Sequence, residues 1–204
     1  MSTETIIDLI RHGEPVGGQM LRGSQDDPLS ELGWQQMRDS IGCHAPWNKL
    51  LSSPLSRCHA FTQELSTKLN LELEVKKEFR EICFGEWEGV RIKDLMQRDP
   101  EALRKYWQDP DNHAPKGSER LSDFTQRINT AWDSLVLQNQ GEHSLLVCHG
   151  GVIRAILSRV LGMSKENLWN FDVPYANVSR VVYHHFPDGG HTAQLRFHQA
   201  RFSE

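Results

Sequence analysis

Apolar residues in this chain recur with two different periods. Short, nearly continuous apolar runs start at Ile6, at Leu50 and at Leu145, as expected of strands buried in a parallel sheet. Between them, Leu121, Phe124, Ile128, Ala131, Trp132 and Leu135 repeat at helical spacing, as do Val152, Ile153, Ile156, Leu157 and Val160. Ser30 is placed to cap a helix that continues through Leu32, Gln36 and Met37, and a further helix is predicted over 56–69, with a short strand over 71–75. Near the carboxyl end, 178–185 and 192–197 flank Pro187-Asp188-Gly189-Gly190, a hairpin signal. The β-α-β-α order predicts an α/β fold with a mostly parallel central sheet flanked by helices on both faces. One stretch, about 78–115, is acidic, bears tryptophans and contains Pro100 and Pro110, and reads as an inserted flap. At 204 residues the chain is expected to form a single domain, 1–204, carrying that flap.

Two of the apolar runs close on a histidine. The first stops at Arg11-His12-Gly13-Glu14, and the other at Cys148-His149-Gly150-Gly151, where a helical pattern opens. Ligands of α/β sheets bind beyond the carboxyl ends of parallel strands, so the two histidines are candidates for one pocket.

Charge and cysteine content narrow the choice of partner. With 23 basic and 27 acidic residues the formal charge is −4, which supplies no general attraction for nucleic acid. An anionic substrate must then be held by local arginines. The four cysteines, Cys43, Cys58, Cys83 and Cys148, form no Cys-x-x-Cys pair or dense framework, which points to a reducing compartment. The amino terminus lacks a basic start and a long apolar stretch, and no run approaches the roughly 20 residues of a membrane span. The expectation is a cytoplasmic protein with no membrane or nucleic-acid partner and a small-molecule phosphomonoester as ligand.

Phosphoryl transfer without a metal needs a nucleophile, positive charge on the nonbridging oxygens and a proton for the leaving alkoxide. His12 can attack only as a neutral imidazole, so its other nitrogen should donate to a backbone carbonyl. Arg11 and Arg57 supply guanidiniums suited to two-point contact with phosphate. His149 adds a third cation if protonated, and the amides of Gly150 and Gly151 at a helix start add donors. Four flap carboxylates, Glu78, Glu81, Glu86 and Glu88, are candidates for the acid, and the residues alone do not choose between them. Cys148 and Arg154 also satisfy the Cys-x5-Arg spacing of cysteine-dependent phosphatases, with a thiolate as the rival nucleophile.

The Arg-His-Gly of 11–13, Ser52-Ser53-Pro54-Leu55-Ser56-Arg57-Cys58, Arg80-Glu81-Ile82-Cys83-Phe84-Gly85-Glu86-Trp87-Glu88-Gly89 and Cys148-His149-Gly150-Gly151-Val152-Ile153-Arg154 follow one another in this order. Together they resemble the histidine phosphatase superfamily, also called phosphoglycerate mutase-like. The resemblance implies that fold, with His12 as nucleophile, Arg11, Arg57 and His149 in the phosphate pocket, Glu81 as proton donor and acceptor, and neither metal nor other cofactor. Phe84-Gly85-Glu86-Trp87-Glu88-Gly89, Trp107-x-Asp109-Pro110 and Trp169-x-Phe171-x-Val173 are similar to alpha-ribazole-5′-phosphate phosphatases of cobalamin nucleotide-loop assembly.

Two segments depart from the family pattern. Pro15 and Gly18 stand where a hydroxyl residue and an asparagine are common, so Arg22, Gly23 or the backbone of the glycine-rich turn is expected to replace a phosphate contact. Ser118-Glu119-Arg120 stands where Gly-Glu-Ser is frequent. Trp87 and Trp107 are candidates for stacking on an aromatic leaving group, or else for anchoring the flap. The alternatives are a mutase or sugar bisphosphatase using the same phosphohistidine, and a noncatalytic module that binds a phospholigand.

Overall fold

The structure, a computed structural model, describes residues 3–200 and 202. Six strands form one sheet: β1 (Thr3–Arg11), β2 (Lys49–Ser52), β3 (Leu73–Val75), β4 (His143–Cys148), β5 (Val178–His185) and β6 (His191–Ala200). Their spatial order is β3-β2-β4-β1-β5-β6. The pairs β2·β3, β2·β4 and β1·β4 are parallel, and the hairpin β5–β6 adds to β1 antiparallel. Parallel neighbours need crossovers, and the helices supply them: α1 (Glu31–Ile41), α2 (Ser56–Leu69) and α5 (Leu121–Gln138), with α6 (Gly150–Val160) leading back toward β5. The strand over 71–75 is shorter than its apolar pattern suggests. The Leu71 amide closes α2 by donating to the Ser66 carbonyl, so pairing starts later.

Alternation along the strands divides the core in two. Ile7, Leu9, Leu51, Leu146 and Cys148 pack with Phe124, Ile128 and Trp132 of α5 and Ile153 and Ile156 of α6. On the opposite face, Ile10, Leu50, Leu145 and Val147 pack with Met37 and Ile41 of α1 and Phe61 and Leu65 of α2. The Ser30 side chain caps α1 by accepting from the Gly33 amide at 3.0 Å. Trp132, fully buried, donates from Nε1 to the Tyr183 hydroxyl at 2.8 Å, so its one polar atom is satisfied.

The segment between β3 and α5 holds two short 3₁₀ turns, Lys77–Phe79 and Gly85–Trp87, and the helices α3 (Ile92–Arg98) and α4 (Pro100–Gln108). Pro100 opens α4 at its first turn, where a missing amide costs nothing, and Asp99 caps it by accepting from the Ala102 amide. Leu95, Leu103 and Tyr106 are buried in the main core, which anchors the inserted segment. No helix among the described residues is long and apolar enough to cross a membrane.

The register positions the site. Arg11 lies opposite Cys148 across β1·β4, so the next residues, His12 and His149, leave neighbouring strands together. The His12 amide donates to the Cys148 carbonyl, and the Ser53 amide to the Val147 carbonyl, which brings the end of β2 to the same edge.

Candidate active site

His12 is 5 % exposed and its Nδ1 lies 2.7 Å from the Gly13 carbonyl oxygen. A carbonyl only accepts, so Nδ1 carries the proton and Nε2 keeps its lone pair. Burial, reinforced by the charges of Arg11 and Arg57, holds the imidazole well below its ordinary pKa, in the neutral form a nucleophile requires.

Arg11 donates from Nη1 to the Val173 carbonyl at 2.6 Å, and its guanidinium lies 4.2 Å from the Tyr175 ring centroid. Arg57, fully buried at the start of α2, donates to the carbonyls of Gln25 at 2.7 Å and Gly23 at 3.0 Å. Each guanidinium keeps its Nε buried and without a hydrogen-bond partner among the described residues. Two unsatisfied cationic donors are costly unless an anion serves them, and the charges of both arginines act on His12.

Arg22 and Gly23, expected at the phosphate, are both buried beside the site. Arg22 donates to Asp27 at 2.5 Å and to the carbonyls of Gly18 and Val16, each at 2.9 Å, and its charge acts on His12. Gly23 offers its carbonyl to Arg57 and packs against Ile82 and Cys83.

His149 faces His12 edge-on at 5.2 Å between ring centroids. Its Nε2 is 2.7 Å from Ser53 Oγ, and the Cys58 sulfur sits 3.6 and 3.8 Å from the ring nitrogens. Burial first, then Arg57, His12 and Arg11, hold its pKa well below the usual range. That shift favours the neutral imidazole as the hydrogen-bonding partner of Ser53. Cys58 remains a thiol, its pKa pushed up to about 12 by burial. Cys148 is fully buried in the main core and burial pushes its thiol pKa well above the normal value. Without a thiolate or access to substrate, the cysteine-nucleophile alternative fails.

Of the four flap carboxylates, Glu81 is the one bonded to the His149-Gly150-Gly151 turn. Its Oε2 accepts from the Gly151 amide at 2.9 Å and its Oε1 from the Ile82 amide at 3.0 Å. A Cβ at Gly151 would stand 2.3 Å from Glu81 Oε1, so any side chain there displaces the carboxyl group. The Gly151 amide thus positions the carboxyl group and is not a free phosphate donor. Gly150 keeps open the space beside Arg11 Nε, which a Cβ would approach to 3.3 Å. Glu86 is exposed, and Glu88 accepts from the amides of Ser24, Gln25 and Phe84, tying the flap to the 22–27 loop. Trp87, read as either a stacking surface or an anchor of the flap, is 5 % exposed and packs edge-on against Tyr106 at 5.3 Å, as an anchor does.

The model of the histidine phosphatase superfamily, branch 1, matches residues 7–193. The chain belongs to this superfamily. It is 29% identical over 170 residues to the adenosylcobalamin/alpha-ribazole phosphatase of Salmonella typhimurium, covering 81% of this chain and 84% of that one. A bifunctional protein of Mycobacterium tuberculosis is 28% identical over 198 residues, 95% of this chain and 54% of its own length. The chain therefore spans about half the length of that relative. The solved alpha-ribazole phosphatase of Shigella flexneri superposes with a TM-score of 0.80 at 26% identity, covering 96% of each chain.

In this histidine phosphatase, the structure places two more residues at the site: Tyr175, to which the sequence gave no role, and Arg154, which the sequence offered only as the arginine of the Cys-x5-Arg alternative. Tyr175 lies over Arg11 and 5.8 Å from the His12 ring, held by a turn in which the Asn177 amide donates to the Pro174 carbonyl and Ala176 has φ +54°. Arg154, one turn into α6, stands beside Gly150, where a Cβ would lie 3.2 Å from its Nη1, and its guanidinium is 5.5 Å from the Trp169 ring. Helical spacing from Gly150 to Arg154 was a usable signal. Tyr175 and Trp169 sit in loops whose course follows no local pattern.

Proposed function

We propose that this chain is a phosphomonoesterase that works through phospho-His12, with alpha-ribazole 5′-phosphate as its substrate. The observation that carries the chemistry is His12, held through Nδ1 by the Gly13 carbonyl with its pKa lowered by burial, beside two arginines whose buried Nε donors lack partners among the described residues. The likeness to alpha-ribazole phosphatases from two organisms supports the substrate.

The phosphate enters between Arg11 and Arg57, whose unpaired Nε groups bind nonbridging oxygens, and His149 donates or accepts beside them. His12 Nε2 attacks phosphorus in line as the P–O bond to the alcohol breaks. Glu81, protonated for this step, gives its proton to the departing oxygen. The alcohol leaves with that proton and the phosphoryl group stays on His12. Water then attacks phosphorus as the P–N bond breaks, and the Glu81 carboxylate takes the water's proton. Inorganic phosphate leaves, and both His12 and Glu81 return to their starting forms. Fixed arginine donors and the helix start at Gly150 act on charge that spreads over the transferring oxygens, where preorganised dipoles are worth most.

The test is phosphate release in excess EDTA from alpha-ribazole 5′-phosphate, 3-phosphoglycerate, fructose 2,6-bisphosphate and p-nitrophenyl phosphate. Strong preference for the first is the expected result. Equal, weak rates on all four retain the chemistry and reject that substrate, and absence of release from any supports a binding module instead.

A further inference from the structure

We infer that the alcohol half of the substrate is read by a subsite built on Trp169 and Trp107, and that it selects an uncharged leaving group carrying a planar ring. The inference deepens the phosphatase reading above and rests on it. Trp169 is half-buried and Trp107 is 37 % exposed, and the two rings meet edge-on at 5.0 Å between centroids. They wall a cavity of about 270 Å³. Two adjoining tryptophans left open to solvent in a concavity are an unsatisfied apolar surface of the kind that small-molecule sites present.

Arg154 stands between Trp169 and the space beside Gly150: its guanidinium is 5.5 Å from the Trp169 ring, and a Cβ at Gly150 would lie 3.2 Å from its Nη1 and 3.3 Å from Arg11 Nε. On this inference the alcohol, leaving His12 on the Gly150 side, extends past Arg154 toward the tryptophan pair.

The charges around the cavity indicate what it takes. Its carboxylates are Asp109, Asp111 and Glu166 and its cations Arg120 and Lys165, and Lys165 is already paired with Asp111 at 2.6 Å. A second phosphate would meet more carboxylates than free cations, so a bisphosphate is disfavoured. A flat, neutral ring gains contact on two indoles and loses no solvation of charge. Arg120, which stands where the family often has a hydroxyl residue, lines the same cavity and gives it a polar edge.

The experiment compares kcat/KM for 2-naphthylmethyl phosphate and ethyl phosphate in the wild-type chain, Trp169→Leu and Trp107→Leu. The two esters leave as alcohols of similar acidity, so chemistry at His12 is matched and the ratio reports on the subsite. The wild-type ratio is expected to favour the naphthyl ester by about tenfold, the size of effect that ring stacking of ordinary strength produces, and to fall toward one in both variants. Trp107, being partly exposed, keeps the test readable if Trp169→Leu does not fold. A wild-type ratio near one, or a ratio unchanged in the folded variants, overturns the subsite alone. Release from neither ester by the wild-type chain overturns the phosphatase reading and the subsite with it.

Discussion

The Gly151 amide donates to Glu81 at 2.9 Å, and there is no room at Gly151 for even a methyl group beside that carboxylate. The bond couples an acid from the flap to the helix that carries His149, so the flap's place and the acid's place are one variable. Replacing Gly151 by alanine pushes Glu81 out of line with the leaving oxygen. The expected result is a fall in kcat of about 10²-fold, the lower end of what a positioned general acid contributes, with the circular dichroism spectrum retained. Unchanged kcat in Gly151→Ala would remove Glu81 from the mechanism.

Acidification should weaken the fold before it protonates the nucleophile. His12 and His149 have folded pKa values well below the ordinary value of about 6.5, through burial and then neighbouring positive charge. Between the two values the unfolded chain binds protons that the folded chain refuses, so stability falls as pH drops through the histidine range and is regained above it. Thermal melts from pH 7.5 to 5 should show a declining midpoint. Over the same range, imidazole NMR should find His12 still neutral, with its proton on Nδ1. A cationic His12 at pH 6 would contradict this.

Glu88 gives the opposite sign of linkage. Burial alone would raise its pKa, but donations from the amide and hydroxyl of Ser24 and the amides of Phe84 and Gln25 outweigh it, and the net shift is downward. Its tether between flap and loop is thus fully present above the usual glutamate value and is lost as pH falls through the lowered one. Glu88→Ala leaves the part-buried amides of Gln25 and Phe84 without this partner. It is expected to cost about 1–3 kcal/mol of stability by denaturant unfolding and to raise KM, since Gly23 and Gln25 of the freed loop hold Arg57.

Asp8 tests the other face of the sheet. This fully buried carboxylate accepts from Arg180 at 2.7 and 3.0 Å, from Trp47 Nε1 at 2.8 Å and lies 2.8 Å from His143 Nε2. Removing one member of a buried charge cluster leaves the others uncompensated, so Asp8→Ala should cost about 3–5 kcal/mol. The residual folded fraction should keep its KM, because none of these groups faces the phosphate pocket.

What could be read from the sequence divides along a physical line. The ends of β1 and β4 were legible because strands buried on both faces announce themselves as apolar runs, and a parallel register then brings His12 and His149 together. Arg57 was legible because it follows a strand–loop–helix pattern. Residues whose place depends on packing between distant segments were not. Whether Trp87 anchors the flap or stacks on a ligand turns on its packing against Tyr106, and the bonds of Arg22 to Asp27 and the turn carbonyls follow no local pattern. Tyr175 reaches Arg11 only through a turn with an alanine at positive φ, which no periodicity encodes.

The central claim is that phosphate passes through His12, and trapping it is the most direct test. The chain is mixed with a phosphomonoester labelled in phosphorus, quenched within milliseconds in alkali, digested and sequenced by mass spectrometry. The account predicts acid-labile, alkali-stable label on the peptide containing His12, none in His12→Ala, and undiminished labelling in Cys148→Ser. Label on Cys148, or turnover that survives His12→Ala, would contradict it.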